Sequence, residues 1–239
     1  LYILLDFSGY SDIAIGTAYL IGIRTPENLN NPYFSKSLSD FWKRWHISLS
    51  LWLRDYLYIP LGGSRNGTLS TYKNLGITML LGGLWHGAAW TFVIWGAFHG
   101  ILLSVHRFLE PGLKRIFCPS TQFGEKLWFL LRVVFFFHLT CFGWLIFRAE
   151  SVHQILAMLH GLIFDFRFTS GIGLESTCIK LIFYSWILVF VQILQFRSKD
   201  LMIVSRGPKT VKTAFYYACV LLMMAFGALG QNQFIYFQF

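Results

Sequence analysis

Thirty-one consecutive residues, Leu75 to Val105, contain no Asp, Glu, Lys or Arg. A membrane-spanning helix needs about 20 predominantly apolar residues, so this run is too long for one untilted span. Gly82-Gly83 and Gly87 punctuate it, which predicts two pieces that meet near His86 as a re-entrant or broken helix pair. An imidazole at membrane depth is costly unless it faces protein or a water-filled cavity, which makes His86 a functional candidate. The glycines on either side leave room for backbone or substrate to approach its ring.

The rest of the chain fits a membrane setting. Its 239 residues are 55% hydrophobic, 19% aromatic and only 13% charged, with a mean hydropathy of +0.54. Soluble domains carry about a quarter charged residues, so the expectation is an all-α, polytopic integral membrane bundle. The chain opens inside an apolar stretch, Leu1 to Leu5, with no charged leader. It therefore reads as the C-terminal part of a single membrane-embedded domain, 1–239, whose N-terminal spans are missing. A formal charge of +9 would point to nucleic acid in a soluble chain. Here the basic residues lie between apolar spans, where cytoplasmic loops account for them, and no nucleic-acid partner is expected. Cys118, Cys141, Cys178 and Cys219 show no CxxC spacing and read as lipid-facing or core thiols.

Further spans are expected at Leu127 to Phe147, Ile179 to Phe196 and Thr213 to Gly230. Ser11 to Ile23 reads as a half-span or buried helix, and Ser151 to Phe164 as an interfacial helix. Loop charge then sets the topology. Arg24 to Asn74 holds seven basic and three acidic residues, His106 to Lys126 four and two, and Arg197 to Lys212 five and one. Arg148 to Cys178 has only two basic residues against three acidic. Lys and Arg concentrate on the cytoplasmic side. The three basic loops share that side only if Leu75 to Val105 enters and leaves on one face.

In the long polar loop, Asp40 to Tyr58 is expected to be helical, with Trp42, Trp45, Leu49, Trp52 and Leu53 at three- and four-residue steps. Such an aromatic, basic stripe suits a helix lying along the interface or plugging a membrane cavity. No His-Glu-x-x-His, P-loop or Gly-x-Ser-x-Gly pattern occurs. No metal site is expected.

Three segments carry a resemblance to a known family. They are Asp6-Phe7-Ser8-Gly9-Tyr10-Ser11-Asp12, Phe41-Trp42-Lys43-Arg44-Trp45-His46 continuing to Gly63, and Leu80-Leu81-Gly82-Gly83-Leu84-Trp85-His86-Gly87-Ala88-Ala89-Trp90. Together they resemble the membrane-bound O-acyltransferase family, in its bacterial branch. The ending Phe234-Ile235-Tyr236-Phe237 has the same look. The resemblance implies an O-acyltransferase of the bacterial inner membrane. It would pass acetyl from a cytosolic donor, acetyl-CoA or an acyl carrier, towards an extracytoplasmic polysaccharide such as alginate, with a teichoic acid-type polymer as the alternative acceptor. It implies periplasmic acetyltransferase partner proteins, and no bound cofactor.

By that resemblance the family's catalytic histidine falls on His86 and its second histidine on His46. The chemistry agrees independently: esterifying a hydroxyl from a thioester requires a base near neutrality, which imidazole supplies. A general base is the first reading of His86, and an acyl-carrying nucleophile the second. His46 would orient the donor or polarise its carbonyl. Arg44, Arg54, Asp55 and Trp85 are the donor-binding candidates, since arginine suits phosphate through its planar fork. Snorkelling and an Arg54–Asp55 contact explain the charged members equally simply. Asp6 and Asp12 could line a cavity or pair with a basic group elsewhere. His99 lies thirteen residues beyond His86, about 20 Å along a continuous helix, and reads as packing unless the chain folds back. Arg132 and His138 are expected to face the bundle interior. Two rival functions remain: a transporter of donor or glycan, and a non-catalytic assembly subunit of a secretion complex.

Overall fold

The computed structural model describes residues 2–117, 119–165 and 172–226. Cys118, Arg167, the end of the last expected span at 227–230 and the Phe234–Phe237 motif lie outside the described residues. All regular structure described is helical. In order it comprises α1 (Tyr2–Leu20), a 3₁₀ turn at Pro32–Phe34, α2 (Leu38–Trp42), α3 (Ile47–Leu53), a π turn at Arg54–Tyr58, α4 (Gly67–His86) and α5 (Trp90–Ile116). After these come α6 (Gln122–Arg148), α7 (Val152–Ile163), α8 (Ile172–Ser198), α9 (Ile203–Arg206) and α10 (Lys209–Phe226). The chain divides into two compact units, one of residues 10–167 and one of 1–9 with 168–239. The first carries the Phe41–Gly63 and Leu80–Trp90 motifs, and the second contains α8, α9 and α10.

The long apolar run is broken where its glycines predict. Helix α4 stops at His86, the Gly87 N–H reaches only back to the Leu84 carbonyl (3.2 Å), and α5 restarts at Trp90. The two helices run antiparallel in direct backbone contact. A Cβ on Gly83 would collide with the Phe92 carbonyl oxygen, and one on Gly96 with the Met79 carbonyl oxygen. Further along, a Cβ on Gly100 would sit 3.2 Å from the Gly76 Cα. Apolar burial gives little drive between helices in lipid, so close van der Waals packing of small residues must hold such a pair together. Helices α5 and α6 are each 27 residues long and apolar enough to cross a membrane. Helix α4 is 20 residues, about 30 Å, although its first two turns are polar.

The polar loop is folded into this bundle. Leu38 of α2 is buried with Met79 of α4, Leu103 of α5 and Phe136 of α6, and Phe41 is equally buried. The structure departs here from the single helix expected over Asp40 to Tyr58. The helix begins earlier, because the Ser37 hydroxyl accepts the Asp40 N–H (3.0 Å) as an N-cap. It stops at Trp42 and resumes only at Ile47. The Asn28–Asn30 strand of loop competes for the intervening backbone: the Asn30 N–H donates to the Arg44 carbonyl (2.9 Å), and the Ile47 N–H donates to the Asn28 carbonyl (3.0 Å). Helical periodicity in the side chains survives on either side of this break, which is why the pattern reads as continuous.

The glycine contact yields a direct expectation. Gly96→Leu should force α4 and α5 apart and destabilise the fold by about 1–3 kcal/mol or more, the usual cost of overpacking. A matching fall in the thermal unfolding midpoint of the detergent-solubilised protein checks this. An unchanged midpoint would show that the hairpin does not depend on backbone contact.

Candidate active site

His86 is the last residue of α4, and its ring is surrounded by aromatic side chains from three helices. Its centroid lies 5.0 Å from Trp85, 5.3 Å from Trp95, 5.1 Å from Phe147 and 6.2 Å from Phe92. The first three contacts are edge-on. Gly87 belongs to this cage, because a Cβ there would stand 2.6 Å from the Phe92 ring. The room that the glycine leaves is thus filled by an aromatic ring of the next helix. Phe92, Trp95 and Phe147 are almost fully buried, at 3%, 2% and 2% exposure, whereas Trp85 is 55% exposed. The cage is therefore closed on the bundle side and open along Trp85.

His46 reaches the same place from the loop. Its ring is 5.8 Å from Trp85, so Trp85 contacts both histidines. The residue has φ 44° and ψ 55°, the left-handed conformation, and starts α3 as its N-cap. A non-glycine residue there is uncommon, and strain of this kind concentrates at functional sites. Asn28 holds the turn in place: its side-chain oxygen accepts both the Ser48 N–H (3.2 Å) and the Ser48 hydroxyl (2.7 Å). Burial pushes the His46 imidazole down to about 4, because desolvation disfavours the charged ring. It is therefore neutral at pH 7 and can accept a proton or donate one hydrogen bond.

The other sequence candidates separate from this centre. The Arg44 Nε donates to the Asp40 carboxylate (2.9 Å) and its Nη1 to the Asn30 carbonyl (3.2 Å), clamping the loop break. Arg54 and Asp55 form a two-pronged pair with each other at 2.6 and 3.0 Å. Arg54 thereby holds the Asp55 carboxyl below its usual range, but both groups are about half exposed, and such pairs add little to stability. Of the expected donor-binding residues, Trp85 is the one whose described contacts touch both histidines.

His99 is the case in which folding back matters. With the helix broken at His86, one ring, Trp95, contacts His86 at 5.3 Å and His99 at 4.7 Å. His99 is 2% exposed and lies against Trp42 and Phe41 as well. Its Nδ1 finds no hydrogen-bond partner among the described residues. Sequence reasoning did not single out Trp95, Phe92, Phe147 or Asn28. The first three are aromatic residues among many, and Phe147 lies 61 positions from His86, so no local pattern connects them. Asn28 stood in a turn-rich stretch, and its residue type, whose side chain commonly bonds nearby backbone in turns, was the one signal available there.

A histidine at the break of a closely packed helical hairpin, approached by a second from an inserted loop, defines an all-helical protein with a partly enclosed histidine centre. The sequence comparisons make the class specific. Residues 1–147 match the family described as MBOAT, the membrane-bound O-acyltransferase family. Among individual proteins, the chain is 53% identical over 161 residues to the probable alginate O-acetylase of Pseudomonas putida, covering 67% of this chain and 31% of that protein. It is 43% identical over 158 residues to the peptidoglycan O-acetyltransferase of Helicobacter pylori, covering 66% and 29%. The teichoic acid D-alanyltransferase of Bacillus subtilis is 35% identical over 162 residues, covering 64% and 40%. The chain belongs to the membrane-bound O-acyltransferase family, a family of polytopic membrane proteins. It spans about a third of the length of the curated relatives it matches.

The left-handed turn at His46 separates a backbone role from a chemical one. Asn tolerates this conformation better than most residues. His46→Asn should therefore leave the unfolding midpoint of the full chain near that of wild type, while lowering any acyl transfer at least about tenfold. Full activity in that variant would mean that the turn matters and the imidazole does not.

Proposed function

We propose that this chain forms the acyl-transfer centre of a bacterial inner-membrane O-acetyltransferase, with His86 as general base. The observation that carries the reading is the position of His86: at the break between α4 and α5, caged by rings of three helices, and joined to His46 through the partly exposed Trp85. The relatives support it. Their printed activities differ in acyl group and polymer, acetyl for alginate and peptidoglycan, D-alanyl for teichoic acid. What the three have in common is movement of an acyl unit to an envelope polymer. The higher identity to the alginate O-acetylases favours acetyl and an extracytoplasmic polysaccharide such as alginate, reached directly or through a periplasmic partner's hydroxyl.

The chemistry is a thioester-to-ester exchange. An acceptor hydroxyl oxygen attacks the acetyl carbonyl of a cytosolic thioester, and the His86 imidazole takes the hydroxyl proton as the C–O bond forms. The C–S bond then breaks, and the proton passes to the leaving thiolate, so the imidazole returns to its starting state. The ring sits among Trp85, Trp95 and Phe147, which hold it in place and away from bulk water. Neutral His46 donates a hydrogen bond to the carbonyl oxygen on which negative charge develops. Phe92, Trp95 and Phe147 close the bundle side of the cage and limit loss of the acyl group to water, while the side along Trp85 stays open for the substrates.

In this reading α4 and α5 enter and leave the membrane on the cytoplasmic face, as a re-entrant pair with His86 at its turn. The basic loops before α4 and after α5 support that orientation, with seven and four Lys or Arg residues. Single cysteines in place of Ser64 and Gly112 should then react with a membrane-impermeant maleimide only after the cells are permeabilised. Labelling of one but not the other in intact cells would sink the re-entrant arrangement.

The central test replaces His86. In membranes containing the full-length protein and its partners, supplied with labelled acetyl donor, His86→Ala should lose at least about a hundredfold of the transfer rate, the usual contribution of a general base. Its membrane abundance should stay normal. Retained transfer would exclude a chemical role for His86 and favour the transporter or assembly-subunit reading.

A further inference from the structure

A cavity lies at the far end of α5 from His86, between the C-terminal half of α5 and the N-terminal half of α6. It has a volume of about 1070 Å³, at the top of the range for small-molecule sites. Its walls are mostly apolar, formed by residues such as Leu109 and Leu113 on α5 and Phe135 and Leu139 on α6. From Leu102 to Leu113 the α5 wall extends about 16 Å, roughly half the hydrocarbon thickness of a bilayer. The cleft is therefore about one leaflet deep.

Cations are set into this apolar surface. Lys36, Lys114 and Arg132 line the cleft together with His106, Glu110 and Glu125. Lys114 is paired with Glu110 at 2.9 Å. Among the described residues no carboxylate forms an ion pair with Arg132 or Lys36. The Arg132 Nε donates to the Lys36 backbone carbonyl (2.9 Å), which fixes the base of the guanidinium and holds the loop against α6. Arg132 stands ten residues into a helix apolar enough to span the membrane, where an ionisable side chain calls for a functional reason. The flanking turn carries Lys114, Arg115 and Lys126, so this end of the hairpin faces the basic, cytoplasmic side.

We propose that the cleft between α5 and α6 binds an anionic phospholipid of the cytoplasmic leaflet. Its acyl chain lies along Leu109, Leu113 and Phe135, and its phosphate is held by Arg132 and Lys36. A guanidinium fork matches phosphate oxygens in pairs, and basic pockets between membrane helices on the cytoplasmic side are the recurrent sites for anionic headgroups. The zwitterionic phosphatidylcholine offers the same tails but no net charge, so headgroup charge sets the preference. The bound lipid would brace the loop that carries His46, because the Lys36 carbonyl tied to Arg132 lies in the same segment. The binding claim itself is independent of the acyltransferase reading.

The test uses the full chain in mild detergent, titrated with phosphatidylglycerol or phosphatidylcholine and observed by native mass spectrometry. Phosphatidylglycerol should be retained in preference. Lys36→Gln removes one charge and leaves the backbone carbonyl bonded to Arg132, so the fold is spared; it should weaken phosphatidylglycerol retention about fivefold, the effect of roughly one basic residue at a membrane surface. Leu109→Trp, which fills the cleft, should weaken retention of both lipids. Equal retention of the two lipids by wild type, or unaltered retention in both variants, overturns the proposal. So does a photoreactive residue at position 109 that crosslinks to another segment of the chain or to a protein rather than to lipid.

Discussion

The backbone contact between α4 and α5 is the interaction on which the other features depend. At Gly83 and Gly96 the two helices meet with no side chain between them, and that approach turns the apolar run back on itself at His86. Without it, His86 and His99 would lie far apart along one helix. With it, a single indole, Trp95, touches both rings. The pair then offers α6 a continuous surface, and Phe147 reaches across to complete the cage.

The second organising constraint is polar. The loop from Asn28 to Tyr58 brings a charged, tryptophan-rich segment against a membrane hairpin, where every backbone group needs a partner. Asn28, Asn30 and Asp40 supply them, through Ser48, Arg44 and the neighbouring peptide groups. These bonds interrupt the helix between Trp42 and Ile47 and place His46 at the start of a new one. Arg44 contributes to the site by holding this break, whatever else it touches. The proposed lipid cleft extends the same logic, since Arg132 ties Lys36 of the loop to α6.

Much of this was legible in the residues. The segments expected as spans at Leu127 to Phe147, Ile179 to Phe196 and the described part of Thr213 to Gly230 are helical, in α6, α8 and α10, and the short helix after Ser151 is α7; of these, α6 is long and apolar enough to cross a membrane. The break at Gly87 followed from glycines in an overlong apolar run, and His86 stood out because ionisable groups are rare at that depth. The helix over Asp40 to Tyr58 was read as unbroken because side-chain periodicity persists on both sides of a gap that only the Asn28 and Asn30 contacts create. Apart from Trp85, the cage around His86 carried no signal, since its other members are three aromatic residues among 25 Phe and 9 Trp.

From sequence alone came the membrane class, the hairpin break, the family and the two histidines, because hydropathy, glycine placement and motif spacing are local properties of a chain. Tertiary structure alone decided which rings enclose His86 and that Trp85 and Trp95 link the histidines. Those outcomes depend on how α5, α6 and the loop pack together. Packing is settled by contacts between residues tens of positions apart, and no pattern along one strand of sequence records them.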